Sequence, residues 1–146
     1  MTYLLDTCIV SKLRKKNTTD GQKLRIWAKK YDIHSYYISA LTIGEIQFGI
    51  AKLKEEDKYK NALLSWFLGE LIPSFDNRIL SIDQHICSIW GNMSARASRK
   101  GILLPVTDAL IAATAIKHDL IVVTENTKHF ANTGAMLLNP LELSYE

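Results

Sequence analysis

Along the chain, short unbroken apolar runs alternate with longer stretches in which apolar residues recur every three or four positions. The runs "YLL" (3–5), "YYISAL" (36–41), "RILSID" (78–83), "LIVVT" (120–124) and "AMLLN" (135–139) are rich in β-formers and predict short strands buried on both faces. Ile43, Ile46, Ile50 and Leu53 share one helical face, as do Ile86, Ile89, Trp90, Met93 and Ala97. The stretch "TDALIAATAIKH" is apolar nearly all round and predicts a helix packed deep inside; "LLSWFLGELI" (63–72) reads as a core-facing helix, or else as an exposed aromatic face for an interface. Loops are expected at "KKNTTDGQ", "KEEDKYK" and "ENTKHFANTGA", and Pro73, Pro105 and Pro140 stand where elements should start or stop.

Strands alternating with helices define an α/β domain around a mostly parallel sheet, and a length of 146 residues suits one domain spanning 1–146. Hydrophobic residues at 47% and charged residues at 23% match a globular chain, which sets disorder and repeat architectures aside. Cys8 and Cys87 lie in apolar runs without a metal or disulfide spacing, so buried thiols in a reducing compartment are expected. The opening "MTY" has no basic stretch leading into an apolar one, and no apolar run approaches the roughly 18 residues of a membrane span. The expected location is cytoplasmic, with no membrane contact.

Charge changes the picture only when it is followed along the chain. Residues 12–30 hold eight basic side chains (Lys12, Arg14, Lys15, Lys16, Lys23, Arg25, Lys29, Lys30) against the single acid Asp20, while the rest of the chain is net acidic. A local basic surplus suits an anionic partner such as a phosphate backbone, or else a solvated helix face.

In sheets of this kind ligands gather beyond the carboxyl ends of the strands, and four candidate positions fall there. Asp6 closes the first run, Glu45 enters the first turn of the helix after the second, Asp108 opens the apolar helix, and Glu125 with Asn126 follows "LIVVT". Each has an ordinary structural explanation: Asp6 as a cap, Thr42 with Glu45 as a capping box, Asp108 as a favourable charge in a first helical turn. Their conjunction is less ordinary. Carboxylates about 4 Å apart repel by about 4 kcal/mol per pair at an effective dielectric of about 20. Protonation or a divalent cation would relieve that, and oxygen donors without paired Cys or His favour Mg²⁺ or Mn²⁺ over zinc. His34, His85, His118 and His129 are scattered, and no dinucleotide fingerprint, P-loop or nucleophile elbow occurs. A D-x-D phosphatase is excluded because Cys8 takes the second position; a phospho-receiver lacks its paired acid and its final lysine.

The segments "LLDTCIVSKL", "ISALTIGEIQFGI", "PVTDALIAATAIKHDLIVVTENTKHF" and "LLNPLEL", in this order and spacing, resemble the PIN-domain nucleases, and within them the VapC and FitB-like toxins of toxin–antitoxin pairs. The resemblance implies a single PIN-like α/β domain with a five-stranded mostly parallel sheet flanked by helices on both faces. It implies Asp6, Glu45 and Asp108 as ligands of Mg²⁺ or Mn²⁺, with Thr7 and Thr124 framing the site. The family's fourth acid falls on Asn126, with Glu125 one residue before it, so either would complete the site. The implied activity is metal-dependent hydrolysis of single-stranded or loop RNA, with Arg14, Lys15, Lys16, Arg96, Arg99 and Lys100 as phosphate contacts. The implied partners are a small antitoxin, operator DNA held through that antitoxin, and a second copy of the chain. The rival class is a non-catalytic PIN-like module that binds antitoxin and nucleic acid to regulate transcription.

Overall fold

The computed structural model describes residues 1–143. Five short strands, β1 (Tyr3–Leu5), β2 (Tyr36–Ser39), β3 (Ile79–Leu80), β4 (Ile121–Val123) and β5 (Leu137–Leu138), form an all-parallel sheet in the order β3-β2-β1-β4-β5. Between and around them lie α1 (Thr7–Arg14), α2 (Thr19–Ala28), α3 (Ala40–Ala51), α4 (Lys60–Trp66), α5 (Ile72–Phe75), α6 (Gln84–Arg99), α7 (Val106–His118) and α8 (Thr127–Phe130). A π-helical turn, Phe67–Leu71, joins α4 to α5.

Alternation along the strands splits the interior in two. Tyr3, Leu5, Ile38 and Val123 face one core with Ile9, Leu24, Trp27, Ile46 and Phe67, whereas Leu4 and Val122 face a second with Ile86, Met93, Ile111 and Phe130. Helices α1 to α4 therefore cover one side of the sheet and α6 to α8 the other, as the resemblance implied. Each fully buried Leu or Ile contributes about 1.5–3 kcal/mol by leaving water. On the first side, Tyr3 meets Trp27 edge-on at 5.2 Å, and Tyr31 and Tyr36 close the cluster. The buried Arg78 ties β2 to β3 by donating to the carbonyls of Ile33, Tyr36 and Ser74 at 2.7, 2.5 and 2.5 Å.

All five predicted strands occur, but four of the five apolar runs are longer than their strands. Residues 40 and 41 of "YYISAL" already belong to α3, and "RILSID" pairs only at Ile79 and Leu80, which as an edge strand is half-buried. α6 and α7 match their expected patterns, and α7 buries Ala109, Ile111, Ala112, Ala113, Thr114 and Ala115. The expected loop "KKNTTDGQ" is half helix. Thr18 caps α2 by accepting from the Gly21 amide at 3.0 Å. Gly21 has a steric reason to be glycine, because a Cβ there would stand 2.0 Å from the Lys15 carbonyl at the end of α1. The expected loop "ENTKHFANTGA" likewise contains α8. Cysteine burial is also corrected: Cys87 is exposed on α6, and Cys8, though it packs against the first core, is only half-buried. "LLSWFLGELI" buries Phe67 and Leu71 and turns Leu68 outward.

Candidate active site

At the carboxyl edge of the sheet, β1 ends and α1 begins at Asp6. Its Oδ1 accepts from the Thr7 amide at 2.9 Å, so the residue does cap α1. The cap uses only half of the carboxylate. Oδ2 accepts from the Thr124 hydroxyl, just past β4, at 2.8 Å, and only 6% of the residue is exposed. The central position of β1 therefore brings residues 6 and 124 together across the sheet.

Glu45 arrives from α3. The expected capping box does not form, because Ser39 caps this helix and accepts from the Leu41 amide at 3.0 Å. That start, three residues earlier than expected, puts Glu45 in the second turn instead of the first and frees its side chain. Thr7 Oγ1 donates to Glu45 Oε1 at 2.8 Å and shares a second hydrogen bond with the buried Thr42 hydroxyl at 3.1 Å. Asp108 arrives from the first turn of α7, where the helix dipole favours a negative charge. His129 Nδ1, on α8, lies 3.5 Å from Asp108 Oδ2, too long for a well-formed hydrogen bond.

The three carboxylates feel one another. Burial raises the Glu45 pKa, the charges of Asp6 and Asp108 raise it further, and the Thr7 hydroxyl opposes them. Burial also raises the Asp108 pKa, with Asp6 adding to it and His129 offsetting it. Cys8, between Asp6 Oδ2 at 3.6 Å and Thr124 Oγ1 at 3.8 Å, is pushed up to about 11 by burial and then by the Asp6 charge, so its thiol stays protonated. Among the described residues, the only basic side chain paired with these acids is His129. No three His, Cys, Asp or Glu side chains among them stand close enough to form a closed metal cage. The fit to a cation is thus one of charge and of hard oxygen donors. A Mg²⁺ or Mn²⁺ ion that keeps several waters while leaning on one or two carboxylates suits such an open arrangement.

The two candidates for the fourth position behave differently. Glu125 Oε2 is held at 2.6 Å by the Lys12 ammonium, which also grips Asp20 at 2.9 Å and whose pKa both acids raise. Asn126 precedes α8, its amide donating to Thr124 Oγ1 at 3.0 Å while its side chain makes no cap bond. Asn126 is thus the less committed of the two.

The basic stretch 12–30 does not act as one surface. Lys12 is committed internally and Arg25 donates to the Leu13 carbonyl at 2.7 Å. Arg14 and Lys15 line a groove beside Glu45 and Thr7, whereas Lys16 is exposed on the turn after α1. On the other flank, the ion pair of Asp83 at the start of α6 with Lys117 in the last turn of α7 shows that these packed helices run antiparallel. The end of α6 therefore lies beside the start of α7. There Arg96, Arg99 and Lys100 line a groove of about 450 Å³ with residues 131–134, which follow α8. Lys12, Thr42, Cys8 and His129 were not singled out from the sequence as site residues. Only Thr42 left a local trace, and that trace pointed to a cap.

An all-parallel α/β sheet with acids from β1, α3 and α7 at its carboxyl edge is the arrangement of a PIN domain, and the PIN domain family matches residues 3–135. The chain belongs to that family. It is 30% identical over 142 residues to the VapC ribonuclease Y4jK of Sinorhizobium fredii, covering 95% of this chain and 97% of that protein. It is also 30% identical over 137 residues to toxin FitB of Neisseria gonorrhoeae, covering 94% and 96%. A solved FitAB complex bound to an IR36 DNA fragment superimposes with a TM-score of 0.88 at 28% identity, covering 99% of both chains.

Proposed function

We propose that this chain is a metal-dependent endoribonuclease, the toxin of a toxin–antitoxin pair, that cuts single-stranded or loop RNA. The observation that carries the reading is the placement of Asp6, Glu45 and Asp108, from three separate elements, at the carboxyl edge of one parallel sheet, with Thr7 bridging from the Asp6 cap to Glu45. The names of its relatives point the same way. Asp6, Glu45 and Asp108 would hold Mg²⁺ or Mn²⁺. A bound divalent ion supplies an acidified water as nucleophile and neutralises the charge that builds on the phosphodiester.

The chain's own residues prepare that chemistry. Thr7 fixes the Glu45 carboxylate and Thr124 fixes Asp6, so neither acid must be ordered at the moment of reaction. Asn126 stands at the rim as a neutral group able to orient a water. Arg14 and Lys15 on one flank, with Arg96, Arg99 and Lys100 on the other, would receive the backbone, and Lys16 adds charge from outside. An exposed single strand can lie across an edge between two such flanks, where the narrow major groove of an RNA duplex would keep its bases from view. A cognate antitoxin would cover this edge and carry operator DNA, a reading supported by the likeness to the FitAB complex bound to an IR36 DNA fragment. A homodimer and a cytoplasmic location complete the reading.

The test is incubation of a mixed RNA pool with Mg²⁺ or Mn²⁺ beside EDTA and beside the Asp6→Asn chain. The expected outcome is cutting that EDTA stops and that Asp6→Asn lowers by roughly 10²–10³-fold, the cost of removing one preorganised electrostatic group. Asparagine keeps the Oδ1 acceptor of the cap, so the fold should persist. The neutral Asn126 and the open spacing of the acids favour one alternative, a non-catalytic module that binds antitoxin and nucleic acid. Binding without EDTA-sensitive cutting would establish that alternative instead.

A further inference from the structure

Beside the acids, where α1, α3 and α4 meet, lies a groove of about 260 Å³ that the carboxylate chemistry does not use. Its walls have three distinct characters. Ile46, Ile50 and Leu63 give an apolar floor where α1, α3 and α4 meet. The Arg14 guanidinium lies 5.6 Å from the centre of the Trp66 ring, a cation–π pair at the rim. Glu45 and Thr7 form the end that is continuous with the acid cluster. The volume is below the roughly 300–1,000 Å³ of pockets that take a whole drug-sized ligand, and is of the order of one planar ring system.

Building on the ribonuclease reading, we propose that this groove is a nucleobase subsite, which takes one unstacked base of the RNA next to the scissile phosphate. Single-stranded RNA is recognised by splaying bases out against aromatic rings and guanidinium planes, and the Arg14–Trp66 pair offers both. Lys15 stands on the same rim to meet the phosphate that joins this base to the cutting point. A protein segment is the weaker occupant, because the groove is short, ends on a carboxylate and is rimmed by two cations suited to phosphate.

Gly49 gives a clean way to close the groove. A Cβ built there meets nothing within 4 Å, so a larger side chain extends into open space without backbone strain. Leucine also outranks glycine inside a helix, so Gly49→Leu should fold at least as well as the parent.

The probes are fluorescein-labelled A10 RNA and a ten-unit abasic ribose-phosphate strand, both read by fluorescence anisotropy in EDTA so that neither is cut. Wild type should prefer A10 over the abasic strand by on the order of tenfold, the scale of one stacked base. Gly49→Leu should bring that preference close to unity with abasic binding unchanged, and Gly49→Ala should fall between. Equal binding of the two strands by wild type, or an equal loss on both in Gly49→Leu, overturns the subsite and leaves the nuclease reading standing. If Gly49→Leu instead spares RNA and weakens the complex with the antitoxin, the occupant is a peptide and the proposal fails. If wild type binds neither strand, the RNA reading and the subsite fall together.

Discussion

Tyr3 at the start of β1 and Asp6 just past its end are three positions apart and have opposite characters. At its start, Tyr3 sits among Trp27, Tyr31 and Tyr36, and the Tyr36 hydroxyl donates to the Ala28 carbonyl at 2.7 Å. Burial pushes the Tyr3 phenol up to about 12, with Tyr31 adding to it, so that end is neutral across the physiological range. Past the strand's other end, Asp6 brings a carboxylate that is hydrogen-bonded by Thr7 and Thr124 yet, among the described residues, met by no basic side chain, and two further acids lie near it. One end is complete in itself; at the other, the proposed reading has a bound cation complete the arrangement. Stability and function have thus been separated along a single strand.

The largest expected effect falls at the aromatic end. Trp27 is almost wholly buried, so Trp27→Ala should cost about 3–5 kcal/mol in urea unfolding, a large share of a domain's stability. Retained stability in that variant would erase the contrast.

The acid end should show the opposite sign. Asp108 holds its proton more tightly in the native chain than in the unfolded one, so its contribution to stability falls as pH rises from the ordinary carboxylate pKa through the elevated native value. In EDTA, the stability of wild type minus that of Asp108→Asn should decline across that window, and Mg²⁺ should recover it at neutral pH. Exposed acids such as Asp83, held low chiefly by Lys117, titrate alike in both chains and cancel in the difference. A flat difference would mean that Asp108 feels no repulsion.

The smallest effect separates neighbours. Lys15→Glu should weaken RNA binding more than Lys16→Glu, because only Lys15 lines the groove beside Glu45. Loss of one phosphate contact should reduce the salt slope for single strands by roughly 0.7. Equal effects of the two reversals would return this turn to undifferentiated charge.

Strand positions were legible because a strand buried on both faces must be an apolar run, and five such runs stand out. Their order was not, since nothing local in "YLL" says that β4, more than a hundred residues on, will pair with it. α2 was hidden by the polar "NTTDGQ", although Thr18 and Asp20 are helix-start signals in hindsight. Asp6, Glu45 and Asp108 were readable as carboxylates at element ends, and the structure brings all three to one edge. Lys12 was counted only within the basic surplus of residues 12–30, but it bridges Asp20 and Glu125, the latter 113 positions away, a pairing that only the fold creates. His129 approaches Asp108 for the same kind of reason, through the packing of α8 against α7.

The hydrogen bond from Thr124 to Asp6 spans 118 positions of sequence, and the Asp6 amide donates to Val123 over nearly the same distance. During synthesis, a growing chain that lacks β4 has neither partner for Asp6, while α7 has no strand to dock beside. Translation must therefore pass roughly residue 124 before the edge can assemble, and closing so long a loop is slow compared with forming its helices. A product that ends between residues 108 and 124 would carry Asp6, Glu45 and Asp108 without the strand that holds Asp6 in place.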